Sequence, residues 1–173
     1  ALIEQSLAGI YIIQDCHFRY VNPGFAKIFG YVSPQEIVDQ IEVSELVSPA
    51  DRERVMENVR RRIEGRSTDI HYVFVGQRQD GSPIDLEVHG RTFDYQGRPA
   101  VIGLILDISA RRAAEEQLRK LAQAIEQSSE SVIITNLAAE IEYVNEAFLR
   151  NTGYSRQEII GQNPRILHSG NTP

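Results

Sequence analysis

Four histidines and one cysteine are the residues best equipped for ligation or nucleophilic chemistry: His17, His71, His89, His168 and Cys16. No two of them stand at the spacings that tetrahedral metal sites use. His71 and His89 fall at outward parity on two neighbouring predicted strands, within approach of each other, and are read as surface side chains rather than a metal pair. Cys16 reads as an inert turn residue, because a redox role needs a reactive, exposed thiolate. A single cysteine closes no disulfide within the chain, which fits a reducing, cytoplasmic setting. No nucleophile–base–acid constellation, phosphate loop or motif of paired carboxylates is visible. The chain is therefore read as not itself an enzyme.

The residues left for binding are apolar and aromatic. Phe25, Phe29, Tyr72, Phe74, Leu86 and Val88 fall where a layer of helices would face the inner side of a sheet, and they are the candidate liners of a ligand or cofactor cavity. The alternative of equal weight is that they fill a core with no cavity. Asn22 and Asn145 read as helix caps rather than ligand contacts.

A formal net charge of −6 argues against a nucleic-acid surface, which needs clustered Lys and Arg. The one basic run, Arg60-Arg61-Arg62, reads as a solvated helix face. The longest apolar stretches, such as Val101 to Leu106, fall far short of the ~20 residues of a membrane span. No signal peptide opens the sequence, and its ends read as cuts from a longer protein.

An internal repeat organises the chain. Ile3-Glu4-Gln5-Ser6 recurs as Ile125-Glu126-Gln127-Ser128, Tyr20-Val21-Asn22 as Tyr143-Val144-Asn145, Phe25 as Phe148, Gly30-Tyr31 as Gly153-Tyr154, and Gln35-Glu36-Ile37 as Gln157-Glu158-Ile159. The offset is about 122 residues throughout. The expected organisation is a complete module over residues 1–109, a helical connector over 110–127, and the N-terminal part of a second module over 128–173.

In the first copy, Ile10 to Ile13 and Phe18 to Val21 read as a hairpin. Asn22-Pro23 is a helix start, with an Asn cap and Pro at the first helical position. Ser33-Pro34-Gln35-Glu36 has the form of a capping box, repeated as Ser155 to Glu158. Ser48 to Asp51 opens a further helix with an apolar stripe of Val55, Val59 and Ile63, ended by Gly65. Three strands follow: Ile70 to Val75, Pro83 to Val88 after the Asp80-Gly81 turn, and Val101 to Leu106. The last is apolar on both parities, as a central strand would be. The sum is an α+β fold, a five-stranded antiparallel sheet with helices on one face.

This order resembles the PAS family. The resemblance is carried by Tyr20-Val21-Asn22-Pro23-Gly24-Phe25, Phe29-Gly30-Tyr31, Pro49-Ala50-Asp51-Arg52, Arg78-Gln79-Asp80-Gly81-Ser82 and Asp107-Ile108-Ser109. It implies a sensory module of a bacterial signalling protein, with an output domain of histidine kinase or cyclic-dinucleotide enzyme type elsewhere in the same chain. Gly161-Gln162-Asn163-Pro164-Arg165-Ile166-Leu167 is similar to the flavin segment of LOV photosensors. Pro164, however, stands in place of their reactive cysteine, so adduct chemistry is excluded while non-covalent flavin in the second copy stays open. Haem-binding relatives take an axial His from the helix before the last three strands. Asp51 to Glu64 has none, and Met56 there reads as packing, which argues against haem in the first copy.

Ala110 to Gln127 lacks Gly and Pro and carries Ala114, Leu118, Leu121 and Ile125 at heptad-like spacing. It reads either as an amphipathic helix lying on its own domain or, as expected here, as a parallel homodimeric coiled coil that transmits a signal, supported by module surfaces such as Val73 and Val75. A stripe of about three turns is too short to hold a dimer by itself. The function expected is sensing of a small ligand or cofactor, relayed through this helix; the alternative is a ligand-free dimerisation and spacing module. A second copy without its last three strands would leave an open sheet edge, and it is expected to be partly disordered or to borrow contacts from a neighbouring chain.

Overall fold

The computed structural model describes residues 8–64 and 69–167. The chain divides into two compact units after Arg112. Ile3 to Ser6, Gly65 and His168, on which parts of the repeat, the helix stop and the histidine inventory rest, lie outside the described residues.

Unit one is a five-stranded antiparallel sheet in the order β2-β1-β5-β4-β3. Its strands are β1 (Gly9–Gln14), β2 (His17–Val21), β3 (Asp69–Gln77), β4 (Pro83–Tyr95) and β5 (Arg98–Asp107). The N-terminal hairpin thus joins the same sheet as the three later strands, with β5 in the centre, as its two-sided apolar pattern requires. Strands β4 and β5 run further than the apolar alternation suggests. The extension pairs Arg91 to Tyr95 with Arg98 to Ile102 around a turn at Gln96 and Gly97, both at positive φ.

Two helices and two short 3-10 turns, at Pro34–Glu36 and Val43–Leu46, cover one face of the sheet. Helix α1 (Pro23–Phe29) starts where Asn22 Oδ1 accepts from Phe25 N at 2.9 Å and stops at Gly30 in the left-handed region. The expected box at Ser33 caps a single 3-10 turn, with Ser33 N donating to Glu36 at 3.1 Å. Helix α2 (Arg52–Ile63) carries Arg60, Arg61 and Arg62 in its last turn, where cations suit the helix dipole. The core between the layers gathers Tyr11, Phe18, Phe25, Phe29, Val55, Val59, Phe74, Leu86 and Val88, all buried.

Helix α3 (Ser109–Glu126) follows β5 after one residue and buries no side chain. Unit two holds the hairpin of β6 (Ile133–Thr135) and β7 (Ile141–Val144), then α4 (Glu146–Thr152) and α5 (Arg156–Ile159). Its own small core is Ile141, Val144, Phe148 and Ile159. Asn145 caps α4 as Asn22 caps α1, accepting from Phe148 N at 3.1 Å.

Candidate functional site

A cavity of about 30 Å³, roughly the share of one water molecule, lies inside unit one between α2 and the inner sheet face. Phe25, Phe29, Tyr72, Phe74 and Val88 line it, five of the six residues singled out from the sequence. Leu86 does not. It is fully buried one register step along β4, packed against Gly76, where an added Cβ would meet its Cδ1 at 2.5 Å.

The residue that sequence reasoning missed is Arg62. Its place in the basic run predicts a solvated helix face, and the structure overturns this: Arg62 is 1% exposed and lines the cavity. The reason is helical geometry. Val55, Val59 and Arg62 are four and three apart, so all three fall on the face turned to the sheet. Arg60 stays in solvent and pairs with Glu57 at 2.5 Å.

Burying a guanidinium costs several kcal/mol unless an anion and hydrogen-bond acceptors offset it. Among the described residues no carboxylate pairs with Arg62, and its Nε and Nη2 have no acceptor. Tyr72 places its ring under the guanidinium, 5.6 Å from Cζ to the centroid, a contact worth about 1–2 kcal/mol. Burial pushes the Tyr11 hydroxyl up to about 12 despite the opposing charge of Arg62. Tyr11 therefore stays neutral and supplies no counter-charge. Burial likewise raises Tyr72, again against Arg62. Gly90 makes room for the arginine: a Cβ there would lie 3.1 Å from Arg62 Nη1.

The opposite face of the sheet holds a second polar cluster. His71 and His89 pair across β3 and β4, and their rings stack 4.2 Å apart with planes at 11°. Glu87 Oε1 takes His71 Nε2 at 2.6 Å and stands 3.4 Å from His89 Nε2, and Arg111 Nη2 donates to Glu87 Oε2 at 3.0 Å. The bond from His71, and then Arg111, hold the Glu87 carboxyl below its ordinary range. Three ligand atoms within 4.8 Å have the right chemistry for a cation. The stacking does not suit one, because an ion shared by two parallel imidazoles would lie outside both ring planes. The side chains as placed form a hydrogen-bonded ion cluster, which contains the carboxylate that the outward parity of the two histidines did not reveal.

The inner cavity does not fit haem. Among the described residues no His or Cys lines it, and Met56 is half-buried on the far flank of α2 with Cys16 and Arg60. Cys16 sits in a tight turn at φ 61. In unit two Pro164 begins a 3-10 turn, Pro164–Leu167.

Comparison with known proteins decides the family. The family described as PAS fold matches residues 18–105, and that described as PAS domain matches residues 129–173. The chain belongs to the PAS family. It carries two copies in tandem. It is similar to the oxygen sensor protein DosP of Escherichia coli K12, at 26% identity over 171 residues, 95% of this chain and 21% of DosP. The sensor histidine kinase TmoS of Ectopseudomonas mendocina is 24% identical over 98% of this chain and 18% of its own length. The chain thus spans about a fifth of these two relatives. Among solved structures, the sensory box histidine kinase/response regulator of Burkholderia thailandensis matches with a TM-score of 0.50 and 27% identity, over 70% of this chain and 92% of that one. As PAS modules related to sensor proteins, the two copies are sensory and regulatory. Among the described residues no helix is long and apolar enough to cross a membrane.

Proposed function

We propose that this chain is the input part of a multidomain signalling protein, in which a small molecule bound in the inner cavity of the first PAS module changes how α3 is held. The observation that carries this reading is the alternation along β4. Val88 lines the cavity, while Glu87 and Asp85 on the other face hold the first turn of α3. Glu87 pairs with Arg111 at 3.0 Å, Asp85 with Arg112 at 2.6 Å, and Asp85 N donates to Ser109 Oγ at 3.1 Å. A shift of β4 that re-seats Val88 moves both carboxylates with it. β5 gives a second link, since Ile105 lines the cavity only four residues before Ser109. The ligand acts by its differential affinity for two arrangements of this junction.

The output domain in this reading is of histidine kinase or cyclic-dinucleotide type, elsewhere in a longer cytoplasmic protein. Mass analysis of the purified chain identifies a retained small molecule. Amide exchange at Ser109 to Arg112, before and after its removal, then reads the relay. Binding that leaves these amides unchanged sinks the mechanism.

A second reading rests on α3 itself. Leu118 is 67% and Leu121 51% exposed, and Ala114 is exposed on the same stripe. A homodimer through this stripe, supported by the outer sheet face, covers them. A chain that stays monomeric in sedimentation at high concentration removes this reading. An empty cavity with no thermal shift across a metabolite panel, in a chain that does dimerise, favours the ligand-free spacer.

A further inference from the structure

From the free edge of Arg62 we infer that the ligand of the first PAS module carries a carboxylate, received by Nε and Nη2 of that arginine. The inference rests on the cavity being the sensing site and names the chemical class it takes.

Nε and Nη2 lie on the same side of the guanidinium, and this edge forms two parallel hydrogen bonds to the two oxygens of a carboxylate. These are the two nitrogens of Arg62 left without an acceptor in a fully buried setting. A neutral partner would satisfy the hydrogen bonds and leave the charge; a carboxylate answers both. The tyrosines beside it are held neutral by burial, and no acidic side chain among the described residues pairs with it. The remaining walls are apolar: Phe25, Phe29, Val55, Val59 and Phe74. They suit a short hydrocarbon or aromatic body, which distinguishes the ligand from a polyanion such as a phosphate ester.

The void of about 30 Å³ has room for the head group alone. The body of the ligand displaces a wall, and Tyr72 on the edge strand β3, partly buried where the other lining residues are fully buried, is the wall nearest solvent. Its ring rests on Phe74, 5.9 Å away, and on both Arg62 and Arg54, so a carboxylate arriving at Arg62 replaces one of the contacts that hold Tyr72 in place. β3 pairs with β4 over its whole length, which connects that displacement to the residues that hold α3.

The test is a titration of the whole chain, labelled at arginine, watching the Nε–H resonance of Arg62. The probes are acetate, propionate and benzoate, each set against its neutral amide at equal concentration, with sodium chloride as the ionic control. Carboxylates are expected to shift the resonance saturably and raise the melting temperature, while amides and chloride do neither. Arg62→Lys, which keeps the charge and loses the planar fork, should weaken the tightest carboxylate by about tenfold or more. Arg62→Met should abolish the response, with circular dichroism checking that it folds; the wild-type titration stands without either variant. Equal shifts from acids and amides overturn the carboxylate while leaving a sensing cavity. A shift by chloride as large as that by the acids overturns it as well, in favour of a halide site. If neither these probes nor a wider metabolite panel moves any cavity signal, the sensing role of the cavity fails together with the inference.

Discussion

Tyr11 lies directly opposite Gly103 in the β1–β5 pairing, and a Cβ on Gly103 would come within 2.2 Å of Tyr11 Cζ. The glycine is thus a packing necessity in the middle of the central strand, where it lets the phenol lie flat over the sheet beside Arg62. Gly103→Ala is expected to drive the ring off its site and destabilise unit one by about 2–3 kcal/mol, as overpacking does. Urea unfolding measures this. The double variant with Tyr11→Ala should lose less than the two single costs combined, because the clash has been removed.

Tyr11 also gives a pH signature. Its folded-state value is raised to about 12 from 10.0 by burial. A raised group contributes fully below its unfolded value and loses that contribution as pH climbs toward the folded one. Stability should therefore fall between about pH 10 and pH 12, by up to about 3 kcal/mol from this residue. Tyr11→Phe should flatten that part of the profile relative to wild type. Identical slopes for the two proteins above pH 10 would show that the phenol is not held in its neutral form.

Much of this arrangement is legible in the sequence because it follows from local rules. The repeat of Tyr-Val-Asn, the Asn cap and the alternation along Pro83 to Val88 place the sheet, its helices and five cavity residues. Arg62 is not legible by residue type, since three consecutive arginines read as solvent-facing. The signal was present in its spacing from Val55 and Val59, which carries position 62 onto the buried face whatever residue stands there. Glu87 was hidden for a related reason. Parity places it outward with His71 and His89, but only the strand register brings one carboxylate oxygen to both rings.

Asp51 occupies the N-cap position of α2, but its carboxylate turns to the sheet edge. Oδ2 accepts from Val75 N at 2.7 Å and Oδ1 from Arg54 Nη2 at 2.6 Å. The Val75 bond, and then Arg54, hold its carboxyl below its ordinary value. That contribution is present above the ordinary carboxylate range and is lost as pH falls through the depressed value. Asp51→Ala should cost about 1–2 kcal/mol at neutral pH, since it leaves a strand N–H unpaired. The difference from wild type should shrink on acidification below about pH 4, which chemical denaturation at stepped pH records.

Glu87→Gln keeps the size of the side chain and removes the charge that Arg111 pairs with across 3.0 Å. The expected result is faster amide exchange in the first turn of α3 with little change in the exchange of Phe25, Phe74 and Val88. Protection at Ser109 to Arg112 that equals wild type would mean that Asp85 and Ser109 hold the helix start without help from Glu87.

Asn22 and Asn145 do the same work in the two copies, and both are completely buried. Asn22 Oδ1 accepts from Ile10 N at 2.8 Å and Phe25 N at 2.9 Å, and its Nδ2 donates to Ala8 O at 3.1 Å. Asn145 Oδ1 accepts from Val132 N and Phe148 N, and its Nδ2 donates to Ile125 O at 3.0 Å and Glu130 O at 2.8 Å. Each side chain thus ties the start of a hairpin to the start of a helix, and Asn145 adds the end of α3. Alanine at either site strands two buried N–H groups, at about 3 kcal/mol in all. In unit one, whose five-stranded sheet supplies a large core, Asn22→Ala should lower the unfolding midpoint and leave the fold intact. The described part of unit two has only four buried side chains in its core cluster, so the same loss at Asn145 is large against what holds it. Asn145→Ala should therefore abolish amide protection from Val132 to Phe148 while Ile10 to Phe29 keeps its protection, and equal tolerance of the two substitutions would show that unit two is stabilised by more than this cluster.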